Sequence, residues 1–315
     1  MTFQDFIKEW HDSKAFITVK TSGSTGVPKT IHLSKTFVRE SASRTIGFFN
    51  LNKNSHLHSC VSPDYIGGKM MAVRASIINA EFTSENPSND ALAEFHREDE
   101  IDLLAVVPSQ MLSLIDRYDE LPKIRNIIIG GSAIHPDLRR KIHEMGFNAY
   151  ETYGMTETAS HIALRKISEE NLPFKILEGI KIDTDPEQCL IIRFRDGYEV
   201  RTNDIVDLIS EKEFYVKGRR DNVIISGGRK INPEELEEKL RSVISGEFYL
   251  TGMSDKKWGE KLVLIIEGEE SDYDEFSLRE KFKKLVENWQ IPKEIKFCRQ
   301  LQRTSNGKIK RSKII

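Results

Sequence analysis

The chain has little cysteine, no long apolar run and almost no net charge. Its three cysteines, Cys60, Cys189 and Cys298, lie far apart in 315 residues, so neither a disulfide framework nor a zinc site is expected, and a reducing cytoplasm fits. No window approaches the roughly 18 apolar residues of a membrane span, and no apolar run marks a signal peptide. The net charge of −2 favours neither nucleic acid nor an anionic membrane as a partner.

Strand and helix patterns alternate along the chain up to about residue 203. Apolar runs at residues 101–107 and 127–129 predict buried strands, and Pro108 and Pro136 each open a helical pattern. This alternation predicts a large α/β domain, with a parallel or mixed sheet covered by helices. Beyond Phe174 the segments become short strands with tight turns, which predict a small antiparallel β region over about residues 174–220.

The rest of the chain predicts a small α+β domain. Asn232 is a good helix cap, Pro233 suits the first helical position, and carboxylates follow in the first turn. A strand over residues 262–266, an amphipathic helix over 276–289 and a strand over 295–297 complete it. We therefore predict two domains, a nucleotide- and acyl-binding domain at residues 1–220 and a C-terminal domain at 221–315.

Residues 21–29 are rich in glycine and hydroxyl groups and end in a lysine. Glycine lets the backbone turn its N–H groups toward an anion, and the hydroxyls and the lysine add donors and charge. Strand patterns flank the segment and Pro28 precedes the lysine, so this is not a Walker motif and no helix dipole follows. The alternative is a flexible Ser/Gly loop. The predicted phosphate ligands are Thr21, Ser22, Gly23, Ser24, Thr25, Gly26 and Lys29.

The segment resembles the phosphate loop of the adenylate-forming superfamily of acyl-CoA synthetases, peptide-synthetase adenylation domains and luciferases. Four more segments match in order: YGMTE at 153–157, TND at 202–204, GRRD at 218–221 continuing to GG at 227–228, and NGK at 306–308. The resemblance implies an enzyme that joins a carboxylate to ATP, releases pyrophosphate and passes the acyl group to CoA. It implies ATP and CoA as substrates and Mg²⁺ as cofactor.

The resemblance also assigns residue roles. It makes Lys29, Thr156 and Lys308 catalytic, Glu157 the metal ligand and Asp221 the hinge of a mobile C-terminal lid. Further ATP contacts fall to Gly131, Ser132, Ala133, Tyr153, Asp204 and Arg219, and the pantetheine tunnel to Ser226, Gly227 and Gly228. In the alternatives, Tyr153 is a packed core aromatic, Asp204 a turn former, and Lys308 part of a basic tail.

The acyl substrate is less sharply marked. Residues 154–162 resemble those of o-succinylbenzoate–CoA ligases of menaquinone synthesis, although Tyr65 stands where the superfamily often has histidine. A dicarboxylate needs a second anion site. The candidate pocket residues are Tyr65, Gly68, Lys69, Arg74, Ser160 and His161. In the alternative, Lys69 and Arg74 are ordinary surface charges.

Only 20 residues precede the phosphate loop, where superfamily members carry a whole subdomain. We expect a shortened N-terminus, with the acyl pocket completed by another subunit in a homo-oligomer, or with the ancestral acyl specificity lost. The expected partners are a small carboxylic acid, ATP and CoA. Two rival functions remain, transfer of the acyl group to a carrier-protein thiol and a truncated nucleotide-binding module without catalysis.

Overall fold

The computed structural model describes residues 1–20, 29–93, 95, 99–303 and 309–311. The predicted alternation of strands and helices is present, and most of its strands belong to one mixed sheet. The chain divides into two compact units, residues 1–181 with 193–200, here unit 1, and residues 182–192 with 201–315, here unit 2. None of the helices in the described ranges is long and apolar enough to cross a membrane.

Unit 1 begins with a short amphipathic helix and then alternates strands and helices. Its elements are α1 (Phe3–His11), β1 (Phe16–Lys20), β2 (Thr30–Ser34), α2 (Lys35–Phe49), β3 (His56–Ser59), α3 (Ile66–Ile78), β4 (Glu81–Ser84), β5 (Glu100–Ile101), β6 (Leu103–Val106), α4 (Pro108–Asp116), β7 (Lys123–Ile124), β8 (Ile127–Ile129), α5 (Pro136–Glu144), β9 (Ala149–Met155), β10 (Ser160–Lys166) and β11 (Phe174–Ile176).

The sheet of unit 1 runs in the order β4-β3-β6-β8-β9-β10-β11. The strands from β4 to β9 are parallel, and β10 and β11 add antiparallel pairs. Because side chains alternate along a strand, Leu104 and Ile127 pack into one apolar core while Leu103 and Ile128 pack into another. The sheet is therefore buried on both faces, which confirms the predicted architecture.

One local prediction is corrected. The strand predicted at residues 101–107 is two strands, because Asp102 interrupts it: β5 pairs with β7, and β6 joins the main sheet. Gly67 and Gly68, the latter a candidate pocket residue, lie in the first turn of α3. A Cβ at Gly68 would overlap the Ser62 carbonyl oxygen, so glycine here allows the helix to approach the preceding loop.

Unit 2 holds most of an antiparallel group, β12 (Ile180–Thr184), β13 (Cys189–Phe194), β14 (Glu199–Ser210) and β15 (Glu213–Arg219), paired in that order. Connections this short can join only antiparallel neighbours, and β14 pairs antiparallel with β15. The predicted small antiparallel region is therefore confirmed. One of its tight turns lies at Gly197, which has a φ of 84°.

The C-terminal part of unit 2 is an α+β assembly. Its elements are β16 (Ile224–Ser226), β17 (Arg229–Ile231), α6 (Pro233–Leu240), β18 (Phe248–Asp255), β19 (Gly259–Glu267), α7 (Glu275–Leu285) and β20 (Glu294–Cys298). As predicted, α6 begins after Asn232 with Pro233 in its first turn, and Leu236 and Leu240 enter the core. The functional boundary placed at residue 221 stays a prediction.

Candidate active site

The predicted phosphate loop connects two paired strands. β1 and β2 are antiparallel, with Lys20 opposite Thr30, so residues 21–29 join the ends of a hairpin and a strand follows them. The prediction that a strand, and not a helix, follows Lys29 is confirmed. Of the predicted ligands, Thr21, Ser22, Gly23, Ser24, Thr25 and Gly26 lie outside the described residues, and Lys29 is exposed immediately before β2.

The motif at residues 153–157 begins inside a strand. Tyr153 and Gly154 belong to β9, and the turn is the 3-10 segment Thr156–Thr158 that leads into β10. Gly154 is required there because a Cβ would overlap the Ser160 carbonyl oxygen on the paired strand. Thr156 and Glu157 therefore project from a tight turn at the end of a buried strand, where open α/β sheets commonly bind ligands.

This turn is held rigidly by its own hydrogen bonds. The Thr158 hydroxyl bonds to the Ser160 carbonyl at 2.6 Å, and the Ser41 hydroxyl on α2 donates to the Ala159 carbonyl at 2.7 Å. Ala159 and Ser160 adopt φ values of 50° and 84°, which residues other than glycine rarely adopt. Such strain persists only where the surroundings fix the backbone, and it is common at ligand sites.

Glu157 offers a carboxylate suited to a hard cation. It is half-buried, and no side chain in the described ranges forms a hydrogen bond or salt bridge with it. Mg²⁺ is bound through one or two carboxylates together with substrate phosphates. The Glu157 carboxylate beside the Thr156 hydroxyl is such an oxygen donor set, so the residues fit the predicted metal.

A buried carboxylate that the sequence analysis did not identify links two segments predicted to contact ATP, residues 131–133 and Tyr153. Glu151 on β9 accepts hydrogen bonds from the Ile134 N–H at 3.3 Å and from Arg165 Nη2 at 2.5 Å. The Arg165 guanidinium lies 4.4 Å over the Phe174 ring, whose centroid is 5.7 Å from that of Tyr153. One carboxylate therefore fixes the backbone directly after residues 131–133 and, through two side chains, supports Tyr153.

Within unit 2, Asp204 and Arg219 form the pair that the resemblance implies. They are opposite each other on β14 and β15, and Arg219 Nη1 donates to Asp204 Oδ1 at 2.8 Å. Arg219 Nη2 also donates to Asp221 at 3.0 Å. The alternative that Asp204 is a turn former is wrong, because residues 202–204 lie inside β14 and Asp204 is buried.

The predicted CoA-tunnel glycines form a tight turn between β16 and β17. Gly227 and Gly228 have φ values of 58° and 77°, which explains the glycine pair. A Cβ at Gly227 would lie 2.9 Å from the Trp258 ring, and Ser226 is the last residue of β16. Lys308, the predicted catalytic lysine, lies outside the described residues.

The candidate acyl-pocket residues differ in their surroundings. Tyr65 occupies the N-cap position of α3 without a side-chain capping bond, while Lys69 and Arg74 are 2% and 1% exposed. The alternative that these two cations are surface charges is therefore wrong. Lys69 Nζ lies 4.3 Å from the centre of the Phe6 ring and 4.0 Å from Glu9 Oε2, so α1 already surrounds this ammonium group with partners.

Arg74 is buried without such partners. Its Nη1 contacts the Met71 sulfur at 3.5 Å, and in the described part of the chain neither Nε nor Nη2 has a hydrogen-bond partner. Burial lowers the pKa of Arg74 to about 9, so the guanidinium remains charged at neutral pH. His161 lies buried with its Nε2 2.9 Å from the Thr45 hydroxyl, and burial, with the charge of Arg74, lowers its pKa well below the ordinary value.

Comparison with known proteins places this arrangement in a family. Residues 8–178, just over half of the chain, match the family model described as AMP-binding enzyme. A 2-succinylbenzoate–CoA ligase from Listeria monocytogenes is 29% identical over 340 aligned residues, which cover 98% of this chain and 71% of the relative.

Solved structures agree with this placement. An acyl-CoA synthetase (AMP-forming)/AMP-acid ligase II-like protein from Dyadobacter fermentans is 31% identical, with a TM-score of 0.66, over 98% of this chain and 91% of that one. An o-succinylbenzoate coenzyme A synthetase from Bacillus subtilis, in complex with ATP and magnesium ion, matches with a TM-score of 0.78 and 22% identity. That match covers 93% of this chain and 68% of the other.

The predicted reaction class and its requirement for ATP, Mg²⁺ and CoA are confirmed for the family. The individual site residues remain predictions. The chain belongs to the AMP-binding enzyme family and is an AMP-forming acid–thiol ligase.

Proposed function

We propose that the chain adenylates a dicarboxylic acid of the o-succinylbenzoate kind and transfers the acyl group to CoA, to give o-succinylbenzoyl-CoA for menaquinone synthesis. The observation that carries the choice of acid is the buried guanidinium of Arg74. A buried charge without a partner costs several kcal/mol of stability. A substrate that brings an anion to this position removes that cost, whereas an uncharged acyl tail leaves it.

The surroundings of Arg74 favour a carboxylate over other anions. A guanidinium matches the two oxygens of a carboxylate with parallel N–H donors, and Nε and Nη2 are the two unpaired nitrogens. His161 is kept neutral by burial, so it can donate one hydrogen bond without adding a second charge. The second carboxylate of the substrate would bind here, while the first reacts with ATP.

Lys69 has a different role in this proposal. Its ammonium group packs on Phe6 and faces Glu9, so it is already compensated by α1 and holds that helix against α3. We therefore assign recognition of the second carboxylate to Arg74 alone. This contrast supplies a matched control, because both cations are buried on the same helix and only one has charged and aromatic partners.

The remaining residues act on ATP and the reacting carboxylate. We propose that Lys29 and the loop at residues 21–26 bind the outer phosphates, that Thr156 holds a phosphate oxygen, and that Glu157 binds Mg²⁺. Residues 131–133 and Tyr153 enclose the base, and Asp204 with Arg219 binds the ribose. Mg²⁺ supplies positive charge between the two anions that must approach each other. Asp221 is the proposed hinge, and Ser226, Gly227 and Gly228 admit the thiol of CoA.

The test compares Arg74→Met with Lys69→Met on two substrates, o-succinylbenzoate and an analogue without the second carboxylate. Loss of a charge-assisted interaction of about 1.5–3 kcal/mol predicts a rise in KM of about 10- to 100-fold for the dicarboxylate in Arg74→Met. The KM for the analogue stays within a few-fold of wild type. Pyrophosphate release and CoA-thioester formation are measured separately.

Stability gives a second readout of the same proposal. Arg74→Met removes an uncompensated buried charge, so the substrate-free variant unfolds at a higher temperature than wild type. Lys69→Met removes a compensated charge, leaves Glu9 without its cation and unfolds at a lower temperature. An equal rise in KM for both acids, or a lower unfolding temperature in Arg74→Met, contradicts the assignment.

A further inference from the structure

A buried cluster away from the residues assigned above combines a histidine, a cysteine and a glutamate. His58 is in β3, Cys60 follows that strand directly, and Glu85 directly follows the neighbouring parallel strand β4. One ligand atom from each side chain lies within 4.8 Å of the other two. His58 is 1% exposed and Cys60 is fully buried, so these polar groups meet at the carboxyl ends of two adjacent parallel strands.

The proton positions around His58 follow from its neighbours. His56 Nδ1 lies 2.9 Å from the Glu100 carbonyl oxygen, which only accepts, so Nδ1 of a neutral His56 carries the proton. Its Nε2 then accepts from the Thr83 hydroxyl at 2.6 Å. The Thr83 oxygen in turn accepts from His58 Nδ1 at 2.8 Å. His58 Nε2 is then the ring nitrogen that makes no contact with Thr83.

His58 Nε2 faces a carboxylate. His58 Nε2 lies 3.7 Å from Glu85 Oε2, too far for a hydrogen bond, and among the described residues it has no hydrogen-bond partner. Two ligands of one tetrahedral ion, bonded at 2.0–2.2 Å, lie about 3.4 Å apart. The separation is therefore close to the edge of a metal tetrahedron.

The Glu85 carboxylate is fixed in place by the backbone. The Leu92 N–H donates to both of its oxygens, at 3.2 and 3.0 Å. Leu92 adopts a φ of 59° to do so, a conformation that a residue other than glycine keeps only when its surroundings impose it. His58, held through Thr83, shows the outer-shell hydrogen bond that usually orients a metal-bound histidine.

The geometry points to a binding site for one zinc-class divalent ion, held by His58 Nε2, Cys60 Sγ and Glu85. Nitrogen, sulfur and one oxygen form the donor set that Zn²⁺ and Co²⁺ accept, whereas Mg²⁺ and Ca²⁺ require oxygen. Three protein ligands leave the fourth tetrahedral position for water. The site is distinct from the Mg²⁺ position assigned to Glu157, and its ion would tie the ends of β3 and β4 together where the chain continues toward α3.

The test uses the full chain, purified with chelator and then loaded with Co²⁺ in place of Zn²⁺. We expect one equivalent of Co²⁺ and a near-ultraviolet thiolate-to-cobalt absorption band, which Zn²⁺ abolishes and excess Mg²⁺ leaves unchanged. Cys60→Ser loses the band, and His58→Gln and Glu85→Gln bind at least 10-fold more weakly. Cys189→Ser, which alters another buried free cysteine, keeps the band and the affinity.

A second measurement covers the case in which a variant folds poorly. Zn²⁺ raises the unfolding temperature of the wild-type chain, because an ion that binds only the folded state stabilises it, and Mg²⁺ at the same concentration does not. Absence of the cobalt band in wild type, or a band of equal intensity in Cys60→Ser, overturns the proposal. So does a wild-type unfolding temperature that Zn²⁺ leaves unchanged.

Discussion

The Arg311 guanidinium donates two hydrogen bonds to the Glu237 carboxylate, at 2.5 and 2.6 Å, and joins the end of the described chain to α6. The same carboxylate accepts the Leu250 N–H at 2.6 Å. Burial favours loss of the Arg311 proton, but the hydrogen bonds and charge of Glu237 outweigh it and raise the pKa of Arg311. Burial raises the pKa of the Glu237 carboxyl as well, and the two side chains form a bidentate bond inside unit 2.

Glu237→Ala is expected to destabilise the protein by about 3–5 kcal/mol, because it leaves the Arg311 charge and the Leu250 N–H without a partner in a largely buried site. Thermal and urea unfolding measure the loss. Glu235→Ala is the control: Glu235 lies on the same helix and its half-exposed bond to Lys217 is worth less than about 1 kcal/mol. Equal losses in the two variants would contradict a special role for the Glu237 pair.

Glu151→Gln is expected to raise KM for ATP by about 5- to 10-fold, since it weakens the charge-assisted bonds that place Ile134 and Arg165. The KM for the carboxylic acid should change much less, because the network supports only the proposed base site. Steady-state kinetics with each substrate varied in turn distinguish the two. Glu144→Gln, at the exposed end of α5, is the control, and a parallel rise of both KM values would indicate a general loss of structure.

Asp204→Asn is expected to raise KM for ATP at least 10-fold. The substitution keeps the size of the side chain but removes the negative charge that pairs with Arg219 at 2.8 Å. We propose that the same carboxylate accepts hydrogen bonds from the ribose hydroxyls. Hydrogen bonds to charged groups are worth about 1.5–3 kcal/mol. Asp207→Asn, three residues along β14 and exposed, should leave KM unchanged. A ribose-modified ATP lacking both hydroxyls should bind wild type and Asp204→Asn about equally well, and a preserved difference would remove the ribose assignment.

The regular elements were predictable from the sequence because their signals are local. Pro136 opens α5 and Gly146 follows its end, and Asn232 with Pro233 opens α6. Apolar runs such as residues 127–129 belong to strands buried on both faces of a parallel sheet. Local signals fail at Asp204, because the polar residues 202–204 suggested a turn. A long-range partner, Arg219, instead keeps the carboxylate inside a strand.

Contacts between residues that are distant in the sequence were not predictable. Glu151 is one acidic residue in a short strand pattern, and its partners Ile134 and Arg165 come from other elements. The proposed metal site was not predicted for the same reason. Counting cysteines excluded zinc, but the cluster uses one cysteine, and Glu85 reaches His58 only because β3 and β4 are paired.

Lys308→Ala is expected to remove most acyl-adenylate formation while sparing thioester formation from a supplied acyl adenylate. Lys308 itself lies outside the described residues, but the chain on either side is anchored: Arg303 pairs with Ile309, and the Lys310 N–H donates to the Gln302 carbonyl at 2.7 Å. Loss of one transition-state donor costs about 10²–10³ in rate. Pyrophosphate release reports the first half-reaction, and CoA consumption with synthetic acyl adenylate reports the second. The control is Lys310→Ala, which replaces an exposed lysine two residues away and should alter neither half-reaction. Equal losses in both half-reactions of Lys308→Ala would show that Lys308 supports the fold of the C-terminal segment instead of the chemistry.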